Sequence, residues 1–402
     1  MIGILAGTLI GVVLGTISGL VPGIHVNTFA GVLLGFQFVL IPVLGPEILA
    51  AIMIAALVTH TFLDSVPSTF LGIPDPDTAL SVLPAHALCM EGHGEEAVRI
   101  SALGSALGAA VAVPFAVALA LVFPPLQGVI DWWVGILIIA VAGYLIVSGE
   151  SPGWNLALFL VCGILGTFTL HFTYLGSGVC GVSSLLMPLL AGLFGIPLLL
   201  GAASGPMPLQ RYSGIRMGGK EIGKGAVLGT VAGAAVGWLP GLSNATANAV
   251  LASAVTYDRE RRGFILATGA ANTANAFLGI AAFYAIGRTR NGVMVALSMI
   301  EAPVFGALLA AGAVAACLAY IITVRCAGGA GFMAGIERKK LNLLVIAFVV
   351  AASVILTGPF GAFVLVLATL AGLIPCLVNI PRVFCMGAIM VPVVLYSFQV
   401  VL

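Results

Sequence analysis

Long apolar stretches, interrupted by Pro and Gly, alternate along the chain with short polar segments. None shows the every-second-residue alternation of a strand in a membrane barrel. The pattern predicts an all-α polytopic membrane protein with about 10–12 membrane segments or half-segments. The apolar stretches cover residues 2–34, 36–58, 99–124, 128–148, 154–172, 178–203, 225–255, 264–287, 293–324, 341–357, 359–379 and 381–401.

The composition agrees with this class. Hydrophobic residues make up 61% of the 402 residues and charged residues 7%, with a mean hydropathy of +1.21. A water-soluble fold does not carry so little charge over such a length. A net charge of +1 gives no large excess of basic residues with which to bind nucleic acid. The cysteines form no CxxC pair and are expected in packed interiors, so no cofactor is predicted.

Acidic and basic residues are unevenly distributed. Arg99 is the only Lys or Arg in residues 1–200, and all the others follow residue 210. The positive-inside rule places their clusters in the cytoplasm. The prediction is a first membrane half over 1–203, a basic cytoplasmic connector over 204–224 and a second membrane half over 225–402. The clusters are Arg211/Arg216/Lys220/Lys224, Arg259/Arg261/Arg262 and Arg325/Arg338/Lys339/Lys340.

The segment between Lys224 and Arg259 is too short for two ordinary crossings, although both ends are predicted to face the cytoplasm. Residues 225–239 would form a helix of about 22 Å, at about 1.5 Å per residue, against a hydrocarbon core of about 30 Å. Pro240-Gly241 then breaks the helix. A re-entrant hairpin that turns within the membrane is the simplest prediction, and two short crossings remain the alternative.

The two halves carry an internal repeat. "GLVPGIHVNT" at Gly19–Thr28 and "GWLPGLSNAT" at Gly237–Thr246 both place Pro-Gly inside an apolar stretch. Gly-x-x-x-Gly spacing gives a helix a smooth face against which another helix packs closely. A broken helix at membrane depth leaves backbone groups that a ligand or the protein interior must satisfy. An offset of 218 aligns Gly7, Gly11, Gly15, Gly19, Pro22, Gly23 and Thr28 with Gly225, Gly229, Gly233, Gly237, Pro240, Gly241 and Thr246.

Inverted repeats with broken helices are typical of secondary transporters, which bind substrate at the breaks. We therefore predict two inverted structural repeats. A second repeated element, "FLGIPDPDT" and "YAIGRTRNG", follows the Pro-Gly breaks. At an offset of 213, Asp75 and Asp77 align with Arg288 and Arg290, which we expect to attract an anion. The alternative is a surface loop with solvated arginines.

Polar side chains at apolar depth are the remaining candidates. His60 and Asp64 lie four residues apart, on one face of a predicted helix, and suit proton transfer or a sodium site. The amide-rich segments "LSNATAN" and "AANTAN" suit a carboxylate or Na⁺. Internal hydrogen bonding between helices is the alternative. The predicted substrate-binding residues are Pro22, Gly23, Asn27, Thr28, Ser65, Ser68, Pro240, Gly241, Ser243, Asn244, Thr246, Asn272, Asn275, Arg288 and Arg290. The predicted ion-coupling residues are His60, Asp64, Asp75 and Asp77.

Several segments resemble the large membrane subunit of tripartite tricarboxylate transporters, the TctA family. They are "GTISGLVPGIHVNT", "STFLGIPDPDTALSVLPAHALCMEGHGEEAVRISALGSALGA", "LLAGLFGIPLLL", "LGTVAGAAVGWLPGLSNAT" and "GAANTANAFLGI". The resemblance implies the fold of that family and transport of a carboxylate. It also implies two partners, a periplasmic or extracellular substrate-binding protein and a small membrane subunit.

Together these features predict a secondary active transporter of a small carboxylate-type anion in the cytoplasmic membrane. Transport would be coupled to Na⁺ or H⁺ and proceed by alternating access. A lipid or lipid-phosphate translocase is the alternative, because re-entrant hairpins and an acidic–basic groove also suit a headgroup. An intramembrane enzyme using Asp64 with Asp75 or Asp77 is disfavoured, because no HExxH or Gly-x-Ser-x-Gly motif is present. No catalytic residue or metal is predicted, and a homodimer is left open.

Overall fold

The computed structural model describes most of the chain, and the described residues form helices and no strand. The structure describes residues 2–21, 30, 33, 37–72, 78, 81–122, 124–177, 185–201, 208–238, 244, 247–248, 251, 261–289, 291–300, 304–329 and 337–400.

The first half of the chain contributes ten described α-helices. They are α1 (Ile2–Leu20), α2 (Gln37–Leu44), α3 (Pro46–Leu63), α4 (Ser65–Leu71), α5 (Val82–Met90), α6 (Gly94–Val122), α7 (Gln127–Ser148), α8 (Pro152–His171), α9 (Leu186–Leu190) and α10 (Ile196–Gly201). Short 3₁₀ turns lie at Pro124–Leu126 and Thr173–Leu175, and a π-helical turn, Ala191–Gly195, joins α9 to α10.

The second half contributes six described α-helices. They are α11 (Gly219–Trp238), α12 (Arg261–Ile286), α13 (Gly292–Ser298), α14 (Phe305–Gly329), α15 (Arg338–Val378) and α16 (Gly387–Ser397), with a 3₁₀ turn at Arg382–Met386. Gly358 adopts φ 70° within α15, and Pro359 follows it, so this long helix is broken in the middle.

Seven helical runs within the described ranges are long and apolar enough to cross a membrane, and three shorter apolar helices accompany them. The predicted class, an all-α polytopic membrane protein, is therefore confirmed. Two of the seven are almost entirely enclosed by other helices. These are the runs Pro46–Leu71, which comprises α3 and α4, and Arg261–Ile286, which is α12. Apolar helices of this kind form the centre of the molecule, and lipid faces the others.

The glycines of α1 allow its backbone to lie directly against α3. A Cβ at Gly15 would come within 2.6 Å of the Ala56 carbonyl oxygen and of the Thr59 Cβ. Gly7 faces Ile48 in the same way. Residue numbers rise together along both helices, so α1 and α3 run parallel. The predicted smooth glycine face is thus used for close helix packing.

The same packing recurs between α11 and α12. A Cβ at Gly233 would come within 2.5 Å of the Ala271 carbonyl oxygen, and Gly237 faces Leu278. The glycines of α11 lie 218 positions after those of α1, while the residues that they face lie 215 positions after their counterparts in α3. Both helices of this pair begin at the same end of the bundle.

Helices are exchanged between the two halves. Gly104 and Gly108 of α6, in the first half, lie against Leu266 and Ala270 of α12, in the second. Conversely, α14 packs along α3, and Gly312 of α14 approaches Val58 of α3. One apolar core joins side chains of all these helices. The sequence halves 1–203 and 225–402 therefore interpenetrate within this bundle.

A second bundle combines α7, α8, α9, α15 and α16 around its own apolar core. Gly166 of α8 lies directly against Ala388 of α16, and Gly192 lies against Leu365 and Ala368 of α15. Helices of the two halves therefore pack against each other in this bundle too. Large apolar side chains such as Trp132 and Ile164 are exposed around it, as expected of a surface in lipid.

Glycine packing gives a direct prediction about stability. Gly15→Ala should destabilise the protein by about 1–3 kcal/mol, because the added Cβ would force α1 away from the α3 backbone. Gly143→Ala in α7 is the matched control, since nothing lies within 4 Å of its added Cβ. Thermal unfolding of the purified variants in one detergent measures the difference. Equal unfolding temperatures for both variants would contradict the assigned role of the glycine face.

Candidate functional site

The candidate site lies where α3 and α12 cross. His60 of α3, Asp64 directly after α3, and Asn272 and Thr273 of α12 are all buried there. The Thr61 and Thr273 hydroxyls are 2.9 Å apart and hydrogen bond to each other. Polar groups so placed within an apolar bundle need partners, because burial without hydrogen bonds costs free energy.

A chain of side chains links the two halves at this crossing. Asn244 Nδ2 donates to Asn272 Oδ1 at 3.1 Å, and Asn272 Nδ2 donates to Asp64 Oδ2 at 2.8 Å. All three residues are at most 3% exposed. Asp64 follows α3, whereas Asn244 belongs to the amide-rich segment after the second Pro-Gly. The sequence predicted Asp64 and the two asparagines separately, and the structure brings them together.

The helices α3 and α12 run antiparallel where they meet. Asp64 contacts Asn272 and Thr61 contacts Thr273, while Phe277 reaches the level of Val58 beside Gly312. Residue numbers thus fall along α3 as they rise along α12. The parallel pair α1/α3 therefore runs in the opposite direction to the parallel pair α11/α12.

A second polar level lies one turn away along α12. Leu251 packs with Phe264 and Ala267, while Asn244 pairs with Asn272. Thr268 lies one turn before Asn272 on α12. Among the described residues, no group hydrogen bonds to Asn244 Oδ1 or Thr268 Oγ1, and both atoms are buried. Most buried oxygen atoms in proteins accept a hydrogen bond, so these two are exceptions.

Neighbouring hydroxyl groups mainly hold the local structure. Ser18 Oγ of α1 lies 3.0 Å from His60 Nδ1, which fixes one side of the imidazole ring. Ser65 Oγ and Ser68 Oγ donate to the carbonyl oxygens of Phe62 and Asp64, within their own turns. The predicted substrate residues Ser65 and Ser68 are therefore buried beside Asp64, and their hydroxyl groups donate to backbone carbonyl oxygens.

Sequence reasoning missed Ser105 of α6. Its hydroxyl lies 3.1 Å from the Gly269 carbonyl and 3.5 Å from that of Thr61, which places α6 between the crossing helices. Thr61, Ser18 and Thr268 were also missed. An isolated hydroxyl in an apolar helix carries no distinguishing signal in one sequence, because most such groups bond to their own helix.

Arg288 lies at the C-terminal end of helix α11. Its Nη1 donates to the Trp238 carbonyl oxygen at 2.7 Å, and this carbonyl belongs to the last residue of α11. A guanidinium at a helix C-terminus offsets the negative end of the helix dipole. The predicted attraction of an anion thus coexists with a bond that caps the helix.

A glycine with positive φ ends the corresponding helical run in each half. Gly72 ends α4 with φ 66°, and Gly287 follows α12 with φ 65°. These glycines are 215 positions apart, the offset that also relates α3 to α12. At this offset Arg288 corresponds to Ile73. The predicted pairing of Asp75 and Asp77 with Arg288 and Arg290 stays a prediction, because Asp75, Asp77 and Arg290 lie outside the described residues.

Other predicted site residues are only partly accounted for. Asn275 lies half-buried on α12, and its Oδ1 accepts no hydrogen bond within the described ranges. The remaining predictions lie outside the described residues: Pro22, Gly23, Asn27, Thr28, Asp75, Asp77, Pro240, Gly241, Ser243, Thr246 and Arg290. Within the described ranges, no group of three His, Cys, Asp or Glu side chains lies close enough together to hold a metal ion.

Ion pairs join the two halves at the end of the bundle where α6 and α12 begin. Glu96 of α6, buried, accepts two hydrogen bonds from Arg262 of α12, at 2.8 and 3.0 Å. Glu96 also accepts the backbone N–H of Arg216, and Arg261 pairs with Glu91 at 2.7 Å. The acidic first half and the basic second half are therefore complementary, and the connector is held between them.

Comparison with known proteins decides the family. The model of the tripartite tricarboxylate transporter TctA family matches residues 5–387. The chain belongs to the TctA family. It is therefore a multi-pass membrane protein of a transporter family, and the resemblance recognised in the sequence is confirmed. An uncharacterized protein of Methanocaldococcus jannaschii is 28% identical over 310 residues, which cover 75% of this chain and 72% of that protein. No solved structure matches the chain.

The hydrogen-bond chain at the crossing yields a prediction for this TctA-family protein. Asn272→Ala should lower stability by about 1.5–3 kcal/mol, because it removes the amide that donates to the Asp64 carboxylate. Thr323→Val is the control, since that buried hydroxyl donates only within its own helix, to the Ala319 carbonyl. Thermal unfolding in detergent compares the two variants. An Asn272→Ala variant as stable as Thr323→Val would show that this bond contributes little.

Proposed function

We propose that this protein moves a small carboxylate-type anion across the cytoplasmic membrane by alternating access, coupled to a gradient of Na⁺ or H⁺. The observation that carries the proposal is the buried chain from Asp64 through Asn272 to Asn244. It connects an ionisable group of the first half with an amide that follows the second Pro-Gly. Membership of the TctA family supports transport, and the family description names tricarboxylates.

The cost of the buried carboxylate supports a functional role. Ionisable residues inside a membrane are expensive, and they characteristically mark paths of substrates and ions. Asp64 is 3% exposed and lies between helices made mostly of apolar residues. If Asp64 had no role in transport, an apolar side chain in its place would be expected to make the protein more stable. His60, one turn earlier, adds a second titratable group that a coupling proton could use.

We infer that the two repeats are inverted. The pairs α1/α3 and α11/α12 repeat the same glycine contacts, and α3 crosses α12 antiparallel. A two-fold axis that relates antiparallel helices is perpendicular to them, and for membrane-spanning helices it lies in the membrane plane. Inverted repeats of this kind place a substrate site near the midplane, between the halves.

Arg288 contributes positive charge near this proposed path. Its bond to the Trp238 carbonyl holds the guanidinium beside the end of α11. A guanidinium has five N–H donors in a fixed fork, so a group that caps a helix can also attract a carboxylate. We therefore retain Arg288 as a proposed substrate-attracting residue.

The family description, tripartite, supports the proposed partners. We propose that a substrate-binding protein outside the membrane delivers the anion and that a small membrane subunit associates with this chain. The remaining predicted residues around the two Pro-Gly segments, named above, complete the proposed substrate and ion sites.

The inverted arrangement predicts which side of the membrane each helix end faces. Lys220, at the start of α11, should face the cytoplasm by the positive-inside rule, so α1, which belongs to the opposite repeat, should begin outside. In a variant without native cysteines, a cysteine at Ile2 should react with a membrane-impermeant maleimide added to whole cells. A cysteine at Lys220 should react only after the cells are opened; both positions are exposed on the protein surface. Labelling of both from the same side would contradict inversion.

Transport itself is tested in proteoliposomes with citrate, a C4-dicarboxylate, a monocarboxylate and an amino acid. Uptake of one carboxylate should depend on a Na⁺ or pH gradient. Arg288→Ala should reduce uptake by about tenfold or more, because a charge-assisted contact contributes on the order of 1.5–3 kcal/mol.

Thr323→Val serves as the control and should transport like the unchanged protein. Substrate-dependent thermal stabilisation gives a second measurement that does not require a binding-protein partner. Movement of labelled lipid, without binding or uptake of any carboxylate by the folded protein, would replace the proposal by the lipid-translocase alternative.

A further inference from the structure

We propose that the two helix bundles, and not the two sequence halves, are the units that move relative to each other when access to the site alternates. The first bundle contains α1, α3, α6, α11, α12 and α14, and the second contains α7, α8, α9, α15 and α16. The inference deepens the proposed function and rests on it in one respect, that the site binds the transported anion. The division into two units rests on the packing of the described residues.

In the first bundle, α6 of the first half is fixed to α12 of the second. Glu96 and Arg262 pair where both helices begin. Three turns further along, a Cβ at Gly108 would come within 2.5 Å of the Ala270 carbonyl oxygen. Because the backbones themselves meet there, α6 cannot slide along α12 without a collision. Rocking of one half against the other would have to break contacts at both levels.

In the second bundle, α15 folds back on itself. Asn342, before the break at Gly358, donates from Nδ2 to the Leu199 carbonyl oxygen at 3.2 Å. Gly372, after the break, lies against Leu193. A straight helix would place Asn342 and Gly372 about 45 Å apart, at about 1.5 Å per residue, yet both reach the same short helical run. The two parts of α15 therefore form an antiparallel hairpin that packs on the run from α9 to α10.

The halves are interlocked in this bundle as well. The hairpin belongs to the second half and packs on helices of the first, whereas α8 of the first half packs on α16 of the second. The latter contact is again made at glycine, since Gly166 lies against Ala388 and Gly163 against Val391. Neither sequence half is therefore a rigid unit by itself, and each bundle is held together by contacts between the halves.

Contacts of another kind join the two bundles. Their side chains meet in two small apolar clusters. In one, Leu145 of α7 and Val383 pack against a cluster that contains Phe264 of α12. In the other, Leu71 of α4 packs against a cluster that contains Leu199 of α10. Large apolar side chains can change rotamer as helices slide past each other, whereas backbones in contact at glycine cannot. Surfaces of this kind allow relative motion of two compact units.

The candidate site belongs to one of these units. Asn272 of α12 bonds to Asp64, directly after α3, and to Asn244, so the whole chain is attached to the first bundle. Movement between the bundles would carry this chain along the surface of the second bundle without breaking its hydrogen bonds. Access would then change because the surface facing the site changes.

Distances between pairs of spin labels, measured on the purified full chain in lipid nanodiscs, test this division. The labels are attached to cysteines introduced into a variant without native cysteines. Leu5 of α1 and Lys220 of α11 belong to different halves but to one bundle. Lys220 and Leu370 of α15 belong to one half but to different bundles, and all three side chains are exposed.

Each pair is measured with and without citrate and a C4-dicarboxylate, with and without Na⁺, and at acidic and neutral pH. The distance from Leu5 to Lys220 should remain single and unchanged. The distance from Lys220 to Leu370 should show two populations, or shift between conditions, by about 5 Å or more, on the order of one helical turn.

A reversible cross-link provides a functional test. Leu145 and Leu228 of α11 pack against the same cluster from different bundles. In Leu145→Cys/Leu228→Cys, a bifunctional methanethiosulfonate should stop carboxylate uptake, and dithiothreitol should restore it. Glu91→Cys/Arg261→Cys is the control, because this exposed pair links the two halves within the first bundle. The same reagent should leave its uptake unchanged, and size-exclusion elution verifies that both variants are folded.

Failure of this inference is distinguishable from failure of the proposed function. Two populations for Leu5–Lys220 with one for Lys220–Leu370 would overturn it, and so would a single unchanged distance for both pairs. Uptake that continues in folded protein with Leu145 and Leu228 cross-linked would overturn it while transport stood. Two populations for Lys220–Leu370 alone, in a protein that neither binds nor moves a carboxylate, would support the moving units and contradict anion transport.

Discussion

Close approach of helix backbones through glycine is the constraint on which the structure depends. In lipid, association of apolar helices gains little from the hydrophobic effect, so packing must hold them together. The glycine faces of α1 and α11 bring their backbones against α3 and α12, and the glycines of α6 bring that helix against α12. Because these contacts are tight on several sides, α3 and α12 are shielded from lipid and can carry ionisable and amide side chains.

That enclosure allows a polar site at membrane depth. Asp64, Asn272 and Asn244 form a chain of hydrogen bonds, and Ser105 and Thr61 add hydrogen bonds between helices. The same groups facing lipid would be costly. The exchange of α6 and α14 between the halves has a second effect: movement of one half relative to the other must involve helices of both. This suits a site between repeats whose access alternates, which is the proposed mechanism.

The ion pairs at the ends of α6 and α12 show how charge complements this arrangement. Glu96 and Glu91 lie in the first half and Arg262 and Arg261 in the second, and the connector adds the Arg216 amide. The uneven charge distribution of the sequence thus has two consequences. By the positive-inside rule it predicts the orientation of the protein, and its ion pairs join the two halves at one end of the bundle.

The sequence by itself determined the class, the glycine faces, the repeat and the family, because long apolar runs and Gly-x-x-x-Gly spacing are local properties of the chain. It also indicated Asp64, Asn244 and Asn272, since polar residues stand out in apolar helices. It could not determine that these three meet, because residues 208 positions apart are joined only when α3 crosses α12. Tertiary structure likewise set the offset of 215 between α3 and α12, because the contacts between helices and the positive φ of Gly72 and Gly287 are not visible in short sequence motifs.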